Sequence, residues 1–160
     1  IMKIAIYPGS FDPITNGHLD ILKSGSEIFD KVIIAVAYNS EKKGFLSVEE
    51  RVELIEKSVT HLPNVEVDSF TGLTVEYAKE KKADVLLRGL RTSFDFEYEL
   101  QLSQANNAMH KDLKTVFLIT KPEYNFISSS MVREILVNNG DISNFVPKAV
   151  EQYLTTTRGA

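Results

Sequence analysis

A nearly continuous apolar segment, Val32–Tyr38 with the sequence VIIAVAY, limits the folds open to this chain more than any other feature. A strand that is apolar on both faces is typical of a parallel sheet covered by helices on both sides. Four further segments are predicted as strands: Lys3–Tyr7, Val65–Phe70, Val85–Leu87 and Thr115–Ile119. The chain therefore has five candidate strands, none of which follows another directly.

Segments with helical spacing separate these strands. Ser47 and Glu50 form a capping box, and Val48, Val52 and Ile55 follow at helical intervals. The other predicted helices are Gly17–Phe29, Thr74–Lys82, Phe94–His110, Ser130–Asn139 and Pro147–Thr155. Strand and helix alternate about five times, so we predict an α/β fold: a doubly wound, five-stranded parallel sheet with helices on both faces, in a single domain over residues 2–160.

Composition narrows the possible functions. The net charge of −4 argues against general binding to nucleic acid. The chain has no cysteine, which excludes disulfides, thiolate zinc sites and a cysteine nucleophile. No apolar run approaches the ~20 residues needed to cross a bilayer. We therefore expect a cytoplasmic protein without a membrane partner.

The segment YPGSFDPITNGHLDIL follows the first predicted strand and ends where a helix begins. In such folds ligands lie beyond the carboxyl ends of the strands. A helix start offers free N–H groups and the positive end of its dipole to an anion. His18 lies in the first turn, where it can also donate. The segment predicts a phosphate site, although a plain glycine-rich turn remains an alternative.

Basic residues follow two other strands. Lys42 and Lys43 come after the second strand, a position that favours a phosphate contact by either one, although a charged run of this kind is usually a solvated loop. Arg88 and Arg91 flank Gly89 and Leu90 after the fourth strand, and arginine forks match phosphate oxygens. The alternative is a pair of surface arginines bound to Asp95, Glu97 or Glu99.

Three consecutive serines, at residues 128–130, begin a helix after the fifth strand. A plain N-cap needs only one serine, so the triplet indicates a second phosphate site. His61 and His110 follow helix ends and are predicted to be structural or exposed to solvent. Glu97 and Glu99 belong to no cluster with metal-ligand spacing, so no metal ligands are predicted. Neither GxxxxGK[ST] nor GxGxxG occurs, which argues against a P-loop kinase and a common dinucleotide-binding dehydrogenase.

Two of these segments resemble the signatures of the nucleotidylyltransferase superfamily. Thr15-x-Gly17-His18 resembles its (H/T)xGH motif, and residues 127–133, ISSSMVR, resemble its ISSTxxR motif. YPGSFDPITNGH, RGLR at 88–91 and DFEYE at 95–99 look like the bacterial phosphopantetheine adenylyltransferases, over essentially the whole chain. The resemblance implies a Rossmann-like nucleotidyltransferase fold.

The resemblance also implies an activity. That family transfers the adenylyl group of ATP to 4′-phosphopantetheine, giving dephospho-coenzyme A and pyrophosphate in coenzyme A biosynthesis. Mg²⁺ is the expected cofactor, bound mainly through substrate phosphates. The expected assembly is a cytoplasmic homohexamer, with coenzyme A as a feedback inhibitor. A nicotinate mononucleotide adenylyltransferase and a non-catalytic nucleotide-binding module are the alternatives; the RGLR and DFEYE segments argue against the first.

Site residues follow from the resemblance, position by position. The implied catalytic residues are His18, Lys42 and Arg91. The implied contacts of phosphopantetheine are Ser10, Lys42, Thr74 and Arg88. The implied ATP contacts are Ser10, Phe11, His18, Gly89, Leu90, Arg91, Glu99, Tyr124, Asn125, Phe126, Ile127, Ser128, Ser129 and Ser130. Ser10 stands where many members have threonine, and Thr74 where an apolar residue is common, so a contact at Thr74 is expected through backbone atoms.

Overall fold

The computed structural model describes residues 1–158 and contains the predicted α/β fold. Five parallel strands form one sheet in the order β3-β2-β1-β4-β5. Their bounds are β1 Ile4–Gly9, β2 Lys31–Ala37, β3 Val65–Phe70, β4 Val85–Leu90 and β5 Lys114–Ile119. From β1 the chain builds β2 and β3 on one side, then crosses to β4 and β5 on the other. That reversal leaves a crevice beyond β1 and β4, where doubly wound sheets bind ligands.

Six α-helices connect and follow the strands. Their bounds are α1 Asn16–Ile28, α2 Val48–Ser58, α3 Thr74–Glu80, α4 Ser93–Met109, α5 Ser129–Val137 and α6 Lys148–Tyr153. A 3-10 turn at Pro122–Tyr124 precedes α5, and a π-helical turn, Leu154–Arg158, follows α6. No helix among residues 1–158 is both long and apolar enough to span a membrane.

The fourth strand is longer than predicted, which changes the setting of the arginine segment. Its last three residues, Arg88, Gly89 and Leu90, pair with β5 as part of the sheet. Sequence reasoning ended the strand at Leu87, because the polar side chain of Arg88 interrupts the apolar run. The prediction that Arg88 follows the strand was therefore wrong. Its side chain projects from the sheet, while Arg91 lies just beyond it.

Apolar side chains cover both faces of the sheet. On one face, the larger core cluster includes Tyr7, Ile34 and Leu87 of the strands, packed with residues of α1, α2, α5 and α6. On the other face, Ile6 and Leu86 pack with residues of α3 in a smaller cluster. Two layers of helices thus bury the central strands on both sides, which explains the continuous apolar run of β2.

A glycine at the end of β4 lets α1 lie close to the sheet. A Cβ atom added at Gly89 would lie 3.0 Å from Cγ1 of Ile21, closer than ordinary packing allows. Because the first turn of α1 carries His18, this close approach sets how deeply that turn sits above the ends of β1 and β4.

Candidate active site

One cavity lies in the crevice at the carboxyl ends of the strands. Its volume is about 330 Å³, and its walls come from the end of β1, the first turns of α1, the end of β4, α4 and the start of α5. The predicted site residues among its lining are Ser10, Phe11, His18, Arg88, Gly89, Arg91, Glu99, Ile127, Ser128 and Ser129. Segments far apart in sequence thus meet in one cavity.

The remaining predicted site residues lie outside that lining. Lys42 is exposed in the loop after β2, where its backbone N–H donates to Asn39 O at 3.0 Å. It lines a separate depression against α2. Thr74 is the first residue of α3, and its side chain makes no capping hydrogen bond. The others are Leu90, Tyr124, Asn125, Phe126 and Ser130, of which Asn125, Phe126 and Ser130 are exposed.

Hydrogen bonds to Thr15 hold the His18 ring in one tautomer. The backbone N–H of Thr15 donates to Nδ1 of His18 at 3.0 Å, while the backbone N–H of His18 donates to Oγ1 of Thr15 at 3.3 Å. This is a capping box in which histidine takes the place of the usual glutamate or glutamine. Because Nδ1 accepts a hydrogen bond, the proton of the neutral ring resides on Nε2.

The surroundings of His18 keep its ring uncharged. Burial, together with the positive charges of Arg91 and Arg88, lowers the pKa of His18 to about 4. At neutral pH the ring therefore offers the cavity an Nε2–H donor without a full positive charge. Such a donor stabilises charge that develops on a nearby oxygen.

Two aromatic rings support His18 from below. Phe11 is buried with φ of 46°, and its ring meets His18 edge to face, with centroids 5.0 Å apart. Tyr7 packs against the other side of Phe11 in the same manner, at 5.3 Å. Burial raises the pKa of the Tyr7 phenol despite the opposing charges of Arg88 and Arg91, so this hydroxyl stays neutral. The side chain of Phe11 acts as a support for the histidine.

The two arginines are anchored by acidic residues of α4. Arg88 donates from Nε and Nη2 to the two carboxylate oxygens of Glu99, at 2.9 and 2.6 Å. Its Nη1 donates to Pro8 O at 3.1 Å, which leaves two of its five N–H groups for a ligand. Arg91 donates from Nη1 to Ile127 O at 3.1 Å and lies 3.6 Å from Asp95. The ion pairs that the alternative interpretation assigned to surface arginines therefore do form, but they lie inside the cavity. There they orient both guanidinium groups.

Each serine of the triplet has a structural bond. Oγ of Ser128 caps α5 by accepting from Met131 N, and Oγ of Ser129 donates to Pro13 O at 2.7 Å. Ser130 accepts from Arg133, which also donates to Asp12 O at 2.7 Å. These bonds fix the start of α5 against the segment after β1. Ser128 and Ser129 line the cavity, so the start of α5, where backbone N–H groups lack intrahelical partners, lies at its wall.

Sequence reasoning missed a buried ionic cluster beneath the site. Asp12 accepts from the backbone N–H groups of Phe45 and Leu46, both at 2.8 Å, and lies 3.6 Å from Arg51. Arg51 in turn donates to Leu46 O and to Ser10 O. The cluster ties the loop that carries Lys42 to the segment that carries Ser10. A signal was present: Arg51 lies four residues before Ile55, on the buried side of α2.

A metal site built from the protein alone is not found. Residues 1–158 contain no group of three or more His, Cys, Asp or Glu side chains placed to hold an ion. Glu99 and Asp95, the carboxylates that line the cavity, are bound to arginines. A divalent cation at this site would therefore draw most of its ligands from substrate and water.

Comparison with known proteins places the chain in a family. The cytidylyltransferase-like family model matches residues 6–135. A phosphopantetheine adenylyltransferase of Gloeothece citriformis is 58% identical over 152 residues, covering 95% of this chain and 97% of that protein. One of Clostridium perfringens is 48% identical over 162 residues, covering 99% of each chain. The chain belongs to the phosphopantetheine adenylyltransferase family.

Solved structures at lower identity agree on the fold. A protein of Vibrio parahaemolyticus, provisionally assigned as a nicotinate-nucleotide adenylyltransferase, superimposes with a TM-score of 0.75 at 21% identity. The match covers 98% of this chain and 93% of that one. A lipopolysaccharide core biosynthesis protein of Thermoplasma volcanium matches with a TM-score of 0.57 at 23% identity. The predicted Rossmann-like nucleotidyltransferase fold is confirmed.

Proposed function

We propose that this chain transfers the adenylyl group of ATP to 4′-phosphopantetheine, releasing pyrophosphate and forming dephospho-coenzyme A. The observation that carries the proposal is the convergence of His18, Arg88 and Arg91 with the start of α5 on one cavity. Family membership supports it, because relatives at 48 to 58% identity bear the name of this enzyme. A site that only bound a nucleotide would not need a second set of cationic groups for an attacking phosphate.

The chemistry requires positioning more than proton transfer. An oxygen of the acceptor phosphate forms a bond to the α-phosphorus of ATP, and the bond from that phosphorus to the bridging oxygen breaks. Pyrophosphate leaves with the electron pair. Since a phosphate monoester has its second pKa near ~6, the nucleophile is mostly dianionic at neutral pH. No general base is required, which agrees with the absence of an unpaired carboxylate among the described lining residues.

Some site residues are assigned to the phosphates of ATP and others to the acceptor phosphate. The Nε2–H of His18 and the backbone N–H of Gly17, which lines the cavity in the first turn of α1, stabilise the α-phosphate as negative charge develops on its oxygens. Arg91 and the start of α5 hold the departing β- and γ-phosphates. Arg88 and Lys42 hold the acceptor phosphate, with Lys42 reaching in from its exposed loop.

Mg²⁺ is proposed as the cofactor, held by phosphate oxygens and water with little help from side chains. When bound, it supplies charge neutralisation to the triphosphate. The arginine-bound state of Glu99 and Asp95 is consistent with this arrangement.

The test is an acceptor comparison. The protein is incubated with ATP, Mg²⁺ and either 4′-phosphopantetheine or nicotinate mononucleotide, and pyrophosphate is measured. We expect rapid release with phosphopantetheine and dephospho-coenzyme A as the product. If pyrophosphate were released only with nicotinate mononucleotide, that compound would be the acceptor. If ATP bound but no pyrophosphate were released with either acceptor, the chain would be a nucleotide-binding module without this activity.

Assembly, location and regulation are proposed from the same family resemblance. Self-association is supported by large exposed apolar side chains on α4, including Phe94, Phe96 and Tyr98, and by Ile119 at the end of β5; the number of six subunits comes from the family resemblance alone. Analytical ultracentrifugation would measure the assembly.

A cytoplasmic location fits the need for ATP. Coenzyme A is proposed as an inhibitor because it carries the same pantetheine arm as the product, and adding it to the transfer assay tests this.

A further inference from the structure

Apart from the phenol of Tyr7, one buried polar side chain at the site has no hydrogen-bond partner within the described residues. Seven polar or charged side chains are buried in the described part of the chain. Six of them form side-chain hydrogen bonds with other groups of the protein: Asp12, Thr15, Asp20, Arg51, Ser58 and Glu99. The seventh, Thr120, is 5% exposed, and its hydroxyl has no hydrogen bond among residues 1–158.

The unpaired hydroxyl of Thr120 opens onto the central cavity. No fully buried side-chain nitrogen or oxygen in the described residues lacks a partner, so this hydroxyl must retain contact with solvent. Thr120 follows β5 and lines the cavity, which gives the hydroxyl that contact. Its own backbone N–H is already used, because it donates to Leu90 O at 3.0 Å. A buried polar group without a protein partner at a binding cavity indicates a contact completed by the ligand.

The surroundings of Thr120 suit a base better than a phosphate. Gly89 and the buried side chains of Ile21 and Ile127 line the same cavity. The carboxylate of Asp20, which accepts from the backbone N–H of Lys121, also lies 3.5 Å from the Lys121 ammonium, so it is already paired outside the cavity lining. An apolar wall with one polar group is the usual lining for a planar heterocycle.

We infer that the Thr120 hydroxyl accepts a hydrogen bond from the 6-amino group of the ATP adenine, which makes Thr120 a specificity-determining residue of the nucleotide site. The inference rests on the proposed function, because it takes ATP as the adenylyl donor. An amino group that enters this apolar part of the cavity loses water and needs an acceptor. Thr120 provides that acceptor. Because its hydroxyl is largely shielded from water, the affinity of a nucleotide should depend on whether it carries the amino group.

The experiment compares two nucleotides on matched variants. Binding of ATP and of purine riboside triphosphate, which lacks only the 6-amino group, is measured by calorimetry on the full chain. We expect the unaltered protein to bind ATP roughly 5- to 10-fold more tightly than the analogue. Thr120→Val keeps the shape and removes the hydroxyl, and should bind both nucleotides with about equal affinity. Thr120→Ser keeps the hydroxyl and should keep the preference.

A second hydroxyl in the same cavity provides the control. Tyr7 is also 5% exposed, and its hydroxyl has no hydrogen bond to the described residues; Arg88, Arg91, Asp20 and Glu99 all act on it electrostatically. Tyr7→Phe removes a hydroxyl that β1 contributes to the cavity, away from the end of β5, and should leave the preference for the amino group intact. If Thr120→Val retained the full preference, or if Tyr7→Phe lost it, the inference would be overturned.

Thermal stability provides an independent reading. Because the hydroxyl has no partner in the folded chain, Thr120→Val should melt at the same temperature as the unaltered protein or higher. A clear loss of stability would reveal a hydrogen bond within the protein and would contradict the inference. Thr120→Ala serves as the second variant should valine not fold. Because binding is measured without an acceptor, failure of adenylyl transfer in the earlier assay would leave this result to stand on its own.

Discussion

The two halves of the sheet edge differ in how far they are prepared for a ligand. At the carboxyl ends of β1 and β4, His18 is fixed by a capping box and an aromatic support, and Arg88 by a bidentate ion pair. Beyond β2 and β3, Lys42 lies exposed in a loop and Thr74 has no capping bond. We call the first half the fixed half, because it resembles a preorganised transition-state site. We call the second the open half, because its groups come together only when substrate binds.

The largest effect should come from the fixed half. His18→Ala removes the Nε2–H donor, so kcat should fall by roughly 10²- to 10³-fold while the KM for ATP changes little. Steady-state kinetics with saturating 4′-phosphopantetheine measure both quantities. His61→Ala, at an exposed surface histidine, is the control and should behave like the unaltered protein. A collapse of ATP affinity with kcat preserved would contradict the transition-state role.

The ion pair of the fixed half should reveal itself in stability as well as activity. Arg88→Gln leaves the buried carboxylate of Glu99 without its partner, at a cost of about 3 kcal/mol in the free energy of unfolding. The double variant Arg88→Gln/Glu99→Gln should recover most of that loss in denaturant unfolding. It should still transfer poorly, because the charge for the acceptor phosphate is gone. Recovery of full activity would reduce Arg88 to a structural residue.

The open half should show a smaller effect confined to the acceptor. Lys42→Ala should raise the KM for 4′-phosphopantetheine by about 10-fold, through loss of a charge-assisted hydrogen bond, without a change in melting temperature. Lys43→Ala, at the neighbouring exposed lysine, is the matched control and should change that KM by less than about 2-fold. Equal effects of the two substitutions would indicate general electrostatic attraction, with no specific role for Lys42.

Thr74 should give the smallest effect. Because the contact at Thr74 is expected through backbone atoms, Thr74→Ala should alter the KM for the acceptor by less than about 2-fold. The same steady-state assay measures it. A larger change would show that the Thr74 hydroxyl contacts the substrate directly. The open half would then be more ordered than the structure without substrate indicates.

The difference between the halves also explains what sequence reasoning could reach. Apolar runs and the Ser47 capping box predict the sheet and α2, because burial and capping act locally. Residues next to strand ends are brought together by the topology, so His18, Arg91 and the serines could be grouped in advance.

Other features depend on contacts between distant segments and leave little local trace. The capping box of α1 uses histidine at its third position, which the usual Glu or Gln pattern misses. Of the three carboxylates proposed as partners of the arginines in the alternative interpretation, Asp95 and Glu99 do pair with them, yet within the cavity. Thr120 stands out only when the partners of the six other buried polar or charged side chains, Asp12, Thr15, Asp20, Arg51, Ser58 and Glu99, have been identified.

The central claim is that His18 acts as a neutral donor, held ready before substrate binds. Its pKa of about 4 in the folded chain lies below the ordinary value of 6.5. The unfolded chain therefore binds more protons between those values, and the stability due to the neutral ring is present above pH 6.5 and lost as pH falls through 4. His18→Gln should remove that part of the pH dependence.

The most direct measurement is the imidazole nitrogen NMR spectrum of His18 across pH in the protein without ligands. We predict a protonated Nε2 and an unprotonated Nδ1 at neutral pH, with a single titration centred at about pH 4. A midpoint near the ordinary histidine value, or a proton on Nδ1, would contradict the account.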